Sequence, residues 1–505
     1  TDWRLTTEEK KRILLNTIYG VDIDPQAVEV TKLSLLLKVL EGEKSERIGK
    51  QLTITGERVL PSLHENIKCG NSLVGPDIYN DVQVTLDDEE TIFRINAFDW
   101  DRAFPSIMQA GGFDAVIGNP PYVRQEILGR EFKDYAKEHY AVYHGVADLY
   151  TYFIEKGVSL LRPGGQFAYI VANKWMRANY GKPLRAWLRE KRIEEIVDFG
   201  DLPVFQNATT YPCILRIEAG SPREQFDAVQ VGTLDFPDLM DYVKAHAYPV
   251  NQTYLNEEGW SLAGEKTQAL LEKIRAAGVP LGTYIDGKIY RGILTGLNEA
   301  FVIDKETRER LIAEDTRSAE VIKPFLAGRD IKRYALPPSD RYLILFNKGV
   351  SNREGSTYRN KWEWVKDRYP AIAAYLQPFE AAAQKRGDKG DFWWELRACD
   401  YYEEFEKPKL LYLVFQVKPS FTYDSKGIYY ANNAVFIIPN SDLYLLGLLN
   451  SKLGFFITSQ YCTQIQNGYQ LIYNYFGRIP IRTIDFSNPA DVARHDRMVA
   501  LVEQM

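Results

Sequence analysis

The tetrapeptide Asn119-Pro120-Pro121-Tyr122 is the densest piece of potential chemistry in this chain. Two consecutive prolines remove two backbone donors and fix φ, so the turn they make is rigid. The Asn119 carboxamide oxygen and the Pro120 carbonyl can then accept from one amino group, with the flat ring of Tyr122 beside them. That trio suits an exocyclic amine on an aromatic ring, because two acceptors aim the nitrogen lone pair at an electrophile without a strong base. The same four residues also suit a plain proline turn that closes a strand.

Other elements must hold that turn at the edge of a pocket. Residues 113–117 (FDAVI) are a compact apolar run that predicts a buried strand ending at Gly118-Asn119. Residues 16–23 are a short β-rich run closing on Asp22. Pro25 follows, and helical spacing over 27–40 makes Leu33, Leu36, Leu37 and Leu40 apolar. A helix is expected over 149–161, stopped by Arg162-Pro163-Gly164-Gly165, then a strand over 166–171, a helix over 184–191 and strands over 193–199 and 213–217. This alternation predicts an α/β fold with an open, doubly wound, mostly parallel sheet. Ligands of such sheets bind beyond the carboxyl ends of the strands, where Asp22 and Asn119 both fall. Residues 41–68 and 76–110 read as insertions or connecting elements.

The expected organisation is a first domain over 1–220, a connector over 221–280 with a helix at 264–277, and a second domain over 281–505. In the last of these, short aromatic or β-branched runs alternate with glycines, which predicts an α+β module. Residues 443–459 read as a helix pair or a long helix interrupted at Gly454.

With 505 residues the chain has room for about two to four domains. No apolar run approaches the ~20 residues of a membrane span, and Thr1-Asp2-Trp3-Arg4 lacks the pattern of a secretory leader. Four scattered cysteines without a C-x-x-C pair argue against a zinc site or a disulfide framework, and point to a reducing, cytoplasmic setting. Five histidines without an H-E-x-x-H make metal chemistry a poor expectation. The net charge is −6, so nucleic-acid binding would need local basic patches. The aromatic content of 13%, with 32 tyrosines, suits stacking on flat ligands and equally suits a large core.

The chain resembles the amino-group DNA methyltransferases that use S-adenosylmethionine, in the adenine-modifying branch marked by Asn-Pro-Pro-Tyr. Residues 18–25 (IYGVDIDP) resemble the family's acidic motif; the resemblance implies that Asp22 holds the cofactor ribose and that Ile23 packs on its adenine. Residues 69–73 (CGNSL) resemble the next motif, which makes Asn71 and Leu73 cofactor contacts, with Asn71 where aspartate is more usual. Asp148-Leu149-Tyr150 resembles the motif lining the pocket. Residues 198–212 resemble the late motif that supplies a second aromatic against the target base, for which Phe205 is the first choice and Tyr211 the reserve. Phe205 read alone also suits a core position. The family implies that Asn119, Pro120, Pro121 and Tyr122 are catalytic, that the base is flipped out of duplex DNA, and that Tyr122 and Phe205 stack on it.

The second half resembles the target-recognition domain of TaqI-like, type IIG and BREX-type enzymes. The stretches that carry this are 291–303 (RGILTGLNEAFVI), 322–334 (IKPFLAGRDIKRY), 392–397 (FWWELR), 407–413 (KPKLLYL) and 446–453 (LGLLNSKL). Between 321 and 341 five cationic residues, Lys323, Arg329, Lys332, Arg333 and Arg341, face two aspartates, Asp330 and Asp340. That excess suits phosphate contacts, and Lys385 and Arg386 add a basic loop; a solvated basic face is the plainer reading.

The family carries a glycine-rich cofactor loop upstream of its acidic motif. About twenty residues precede Asp22 here, without such a loop. The expectation is therefore a methyltransferase domain lacking its first strand, an incomplete cofactor pocket, weak or no binding of S-adenosylmethionine, no activity of this chain alone, and a partner in a separate N-terminal methyltransferase or nuclease segment. No P-D…(D/E)-x-K nuclease arrangement is found. Two other readings remain: a DNA-binding specificity module without catalysis, and methylation of RNA or of protein glutamine, which the long second half disfavours.

Overall fold

A computed structural model describes residues 5–41, 61–81, 89–205, 210–336, 338–465 and 467–505. Residues 1–4, most of the 41–68 insertion and part of the 198–212 motif lie outside the described residues. The chain divides into two compact units, Thr1–Leu262 and Ala263–Met505.

The first unit is α/β. A helix over Thr7–Thr17 leads into β1 (Gly20–Asp22), which pairs in parallel with β2 (Ile67–Cys69). Asp24 caps the helix Pro25–Leu40 by accepting from the Gln26 N–H, and Pro25 fills a first-turn position that has no use for a donor. A separate six-stranded sheet contains β3 (Phe113–Gly118), β4 (Leu161–Ala172), β5 (Arg192–Asp198), β6 (Pro212–Glu218), β7 (Gln225–Gln230) and β8 (Tyr248–Asn251). Its order is β3-β4-β6-β5-β7-β8. β3 runs parallel to β4, β6 is antiparallel to both β4 and β5, β7 is parallel to β5, and β8 is antiparallel to β7. Four of the six strands therefore share one direction. Buried Phe167, Val171, Ile196, Leu215 and Ile217 form its core with Tyr150, Ile154 and Trp175.

Two expectations are corrected, and for residues 443–459 the helix pair is the alternative found. The stretch 221–280 is not a connector: β7 and β8 extend the first unit's sheet, and Gly278–Pro280 pairs with Pro480–Arg482 in the second unit. Arg162-Pro163-Gly164-Gly165 does not follow the helix as a loop. The helix stops at Ser159, and those residues open β4, where Gly164 at φ +77° donates to the Ala219 carbonyl at 2.8 Å. In the second unit the helices Leu443–Asn450 and Lys452–Tyr461 part at Ser451, whose hydroxyl caps the Gly454 N–H. Gly454 has a different role: a Cβ there would lie 2.1 Å from the Leu448 carbonyl, so glycine lets the two helices turn tightly.

The second unit is α+β. One antiparallel sheet runs Tyr290–Arg291, Val435–Ile438, Lys409–Leu413, Phe421–Asp424. Another runs Val302–Asp304, Arg341–Ile344, Ile322–Leu326, Tyr430–Ala431. Tryptophans 362, 364, 393 and 394 fill its helical side. Among the described residues no helix is long and apolar enough to cross a membrane.

Candidate active site

The carboxyl ends of β3, β4 and β5 and the amino end of β6 form one rim of the six-stranded sheet. Register sets their heights: Gly118 pairs with Tyr169, Ala172 with Pro212, and Asp198 with Cys213. β3 thus stops three residues before β4 does, and the Asn119–Tyr122 turn passes the side of β4. The Tyr122 hydroxyl reaches the Ile170 carbonyl at 3.4 Å. A Cβ at Gly118 would stand 2.8 Å from the Tyr169 ring, so glycine permits this close start to the turn. Asn119 and Pro121 are exposed and Pro120 is buried, which leaves the Asn119 carboxamide open to solvent on a fixed backbone.

The Tyr122 and Phe205 rings meet edge to face, with centroids 6.2 Å apart and planes at 68°. Burial pushes the Tyr122 hydroxyl up to about 12, so it is neutral through the ordinary pH range. The turn is tied to the Asp148 segment from behind. The Leu149 N–H donates to the Val123 carbonyl at 3.0 Å, and the Gln125 N–H donates to Asp148 at 3.3 Å. The Tyr180 hydroxyl also donates to Asp148, at 3.4 Å, and lies 2.9 Å from the Tyr150 hydroxyl. Burial raises the Asp148 carboxyl above the ordinary aspartate range, and the Gln125 N–H opposes that rise.

The rim holds polar residues that motif reading passed over. Asn173, directly after β4, donates its side-chain N–H to Asp198 at 2.8 Å and its backbone N–H to the Tyr211 carbonyl at 2.7 Å. The Lys174 ammonium lies 5.9 Å from the centre of the Tyr211 ring. Their signal was in the sequence: a polar pair immediately after an apolar strand run, as at Asn119.

The residues expected to hold a cofactor lie at the ends of β1 and β2. Asp22 is exposed; one carboxylate oxygen accepts from the Asp24 N–H at 2.9 Å, and the other has no protein partner among the described residues. Ile23 exposes 53% of its surface. Asn71 turns its side-chain oxygen to the Leu73 N–H at 3.2 Å, and its amide N–H₂ has no partner among the described residues. Leu73 corrects the expectation. Its side chain is buried in the core, and its carbonyl accepts from the Tyr140 hydroxyl at 2.6 Å, so it supports the loop and presents no face to a ligand. Asn96, which motif reading also passed over, adopts φ +48° and donates to the Ile23 carbonyl at 3.4 Å.

Beside these residues is an apolar slot of about 420 Å³, lined by Gly20, Val21, Ala115, Ile117, Phe153 and Tyr169 among others. β1 has β2 as its strand partner and β3 has β4, so each strand keeps one edge unpaired among the described residues. Ile117 is 81% exposed.

The basic residues separate on inspection. Arg386 is buried and does not belong to an exposed basic loop. Its guanidinium donates to the carbonyls of Thr295, Trp393 (2.7 Å) and Glu395 (2.6 Å) and lies 4.2 Å over the Phe301 ring. Burial lowers it to about 10. Lys323 is ion-paired with Glu406 at 3.3 Å. Arg329, Lys332, Arg333 and Lys385 are exposed.

Residues 16–205 match the model of the Eco57I restriction-modification methylase family, and residues 323–481 that of the TaqI-like C-terminal specificity domain. The type II restriction enzyme and methyltransferase RM.Eco57I of Escherichia coli is 27% identical over 98% of this chain and 50% of its own length. The type II methyltransferase M.PaeR7I of Pseudomonas aeruginosa is 30% identical over 52% of this chain and 51% of its own. M.BstVI of Geobacillus stearothermophilus is 25% identical over 70% and 64%. The chain thus spans about half to two thirds of the length of these relatives. The solved structure of the type IIL restriction-modification enzyme MmeI aligns over 98% of this chain and 67% of that one, with a TM-score of 0.54 at 12% identity, and so shares its fold. The first part of the chain is thus similar to the Eco57I restriction-modification methylases, and the second to the TaqI-like C-terminal specificity domain.

Proposed function

We infer that this chain is the modification part of a restriction-modification system, a DNA methyltransferase acting on the exocyclic amine of adenine. The observation that carries this reading is the open Asn119 carboxamide on a rigid turn at the end of β3, with Tyr122 facing Phe205. The relatives named methyltransferases support it, as does MmeI, which was solved in complex with DNA.

The donor set fits the adenosine half of S-adenosylmethionine. A free Asp22 carboxylate oxygen suits a ribose hydroxyl, Ile23 offers an exposed apolar face, and Asn71 has a free amide. When bound, that cofactor supplies a methyl group on a sulfonium centre. The protein's own part is positioning. The Asn119 oxygen and the Pro120 carbonyl accept the two amine hydrogens and orient the nitrogen lone pair, and the nitrogen sheds a proton to solvent as it gains the carbon. Tyr122, neutral up to about 12, serves as a stacking face and not as a base. Extruding a base from the duplex costs a few kcal/mol, and base–aromatic stacking is worth about 1–3 kcal/mol per base, so the Tyr122–Phe205 pair offsets much of the cost. The edge-to-face pair must open to admit the base.

The test is sequence-resolved adenine methylation in DNA from cells expressing the full-length parent protein or its Asn119→Ala variant. A methylated motif present only with Asn119 supports the reading; adenine methylation that persists in the variant, or is missing from both, refutes it. The open slot beside β1 favours one second reading, a DNA-binding specificity module without catalysis of its own. That reading predicts unchanged DNA binding and no methylated adenine in either sample.

A further inference from the structure

We propose that Arg291 and Asp400, on opposite walls of a small cleft in the second unit, read the edge of one base pair, and so fix one position of the DNA sequence this chain recognises. The proposal rests on the DNA-methyltransferase reading above.

The cleft has a volume of about 180 Å³ and is lined by Arg291, Gly292, Arg397, Cys399, Asp400 and Tyr401 among others. Arg291 and Asp400 are exposed, and neither side chain has an ion-pair or hydrogen-bond partner among the described residues. Arg397 is already matched, by Asp388 at 3.2 Å. With that pair set aside, one free guanidinium and one free carboxylate face the cleft, and their charges cancel. A cleft that served phosphates would show a cationic excess, since neutralising phosphates is the source of that affinity. A free fork of donors beside a free acceptor instead matches the mixed donor and acceptor pattern of a base-pair edge. Arginine pairs bidentately with guanine O6 and N7, and a carboxylate accepts from the cytosine amine.

The walls are preorganised. Arg291 stands on a short strand paired with Val435–Ile438. The next residue, Gly292, packs so close to Asn432 that a Cβ would lie 2.0 Å from its carbonyl oxygen. On the other wall the Tyr401 ring stacks on Tyr290, centroids 4.6 Å apart and planes at 21°, which joins the two sides. Tyr401 continues through Phe405, 6.3 Å away, to Tyr430, a further 5.0 Å on, within the core. The Tyr402 hydroxyl donates to the Arg397 carbonyl at 3.0 Å and fixes the segment that carries Asp400. Side chains on such a frame lose little freedom on binding, which is what discrimination between bases requires.

The test is selection of bound duplexes from a randomised pool by the purified chain and by its Arg291→Lys, Arg291→Ala and Asp400→Asn variants, with the salt dependence of binding measured for each. Lysine keeps the charge and loses the fork. The expected result is that Arg291→Lys and Arg291→Ala both relax the same single base pair, by roughly tenfold or more, with the rest of the motif and the slope of log K against log salt unchanged. A phosphate contact would instead survive Arg291→Lys, keep the motif, and lower the slope by about 0.9 in Arg291→Ala; that outcome overturns the proposal. So does an unchanged motif in all variants. A wild-type chain that selects no motif overturns the proposal and the recognition reading together, whereas a selected motif without methyl transfer in the parallel assay counts against the catalytic reading alone. Circular dichroism of each variant keeps loss of fold separate from loss of reading.

Discussion

The Asp148 carboxylate accepts from the Gln125 backbone N–H, three residues beyond Tyr122, and so ties the Asn119–Tyr122 turn to the helix that begins at Tyr150. Asp148→Ala removes that tie, a loss of about 1 kcal/mol, and is expected to slow methyl transfer roughly fivefold. Asp148→Asn keeps an acceptor and should retain activity.

The same residue gives a pH signature. Its native carboxyl is raised by burial, so the folded state favours the protonated form. The wild type is therefore penalised relative to Asp148→Asn at neutral pH. The penalty fades as pH falls through the raised native value, and is gone below the ordinary aspartate value of 3.8. Thermal melts of both proteins across that window should converge on the acid side; parallel curves would contradict the assignment.

Tyr122→Phe keeps the ring and loses only a 3.4 Å hydrogen bond, so it should transfer methyl groups at near wild-type rate. Tyr122→Ala loses a stacking face worth about 1–3 kcal/mol, a slowing of roughly 5- to 150-fold. A fluorescent adenine analogue at the target position should show weaker extrusion in the alanine variant alone.

Arg386 and Lys385 are neighbours with opposite expected phenotypes. Arg386→Ala strands three buried carbonyls and should cost at least ~3 kcal/mol of stability, read as a lower melting temperature. Lys385→Ala, at an exposed site, should leave stability within about 0.5 kcal/mol and weaken DNA binding in low salt.

The slot between β1 and β3 predicts weak cofactor affinity, because among the described residues the β1 and β3 edges that line it have no further strand partner to stiffen them. Calorimetry of the chain with S-adenosylmethionine should show no saturable heat at micromolar concentrations, and Ile117→Asp should improve solubility without lowering the melting temperature, since Ile117 is 81% exposed. Tight binding would refute this.

The sequence by itself determined what is local. The proline turn after β3, the helix over Pro25–Leu40 with its Asp24 cap, and the division into an α/β and an α+β part follow from spacing, capping and backbone restriction within a few residues. The pairing of Tyr122 with Phe205 was legible only through a family resemblance, because 83 residues separate them. Tertiary structure alone decided the rest. Leu73 looks like a motif residue until Tyr140 packs over its carbonyl, and Arg386 looks like a surface cation until the Thr295 carbonyl, 91 residues away in sequence, joins those of Trp393 and Glu395 around it. The stretch 221–280 reads as a connector in the sequence; β7 joins the sheet by pairing with β5 and β8 by pairing with β7. The physical reason is the same in each case. Burial and hydrogen-bond satisfaction are set by partners remote in sequence, and no local pattern records which partner a residue will meet.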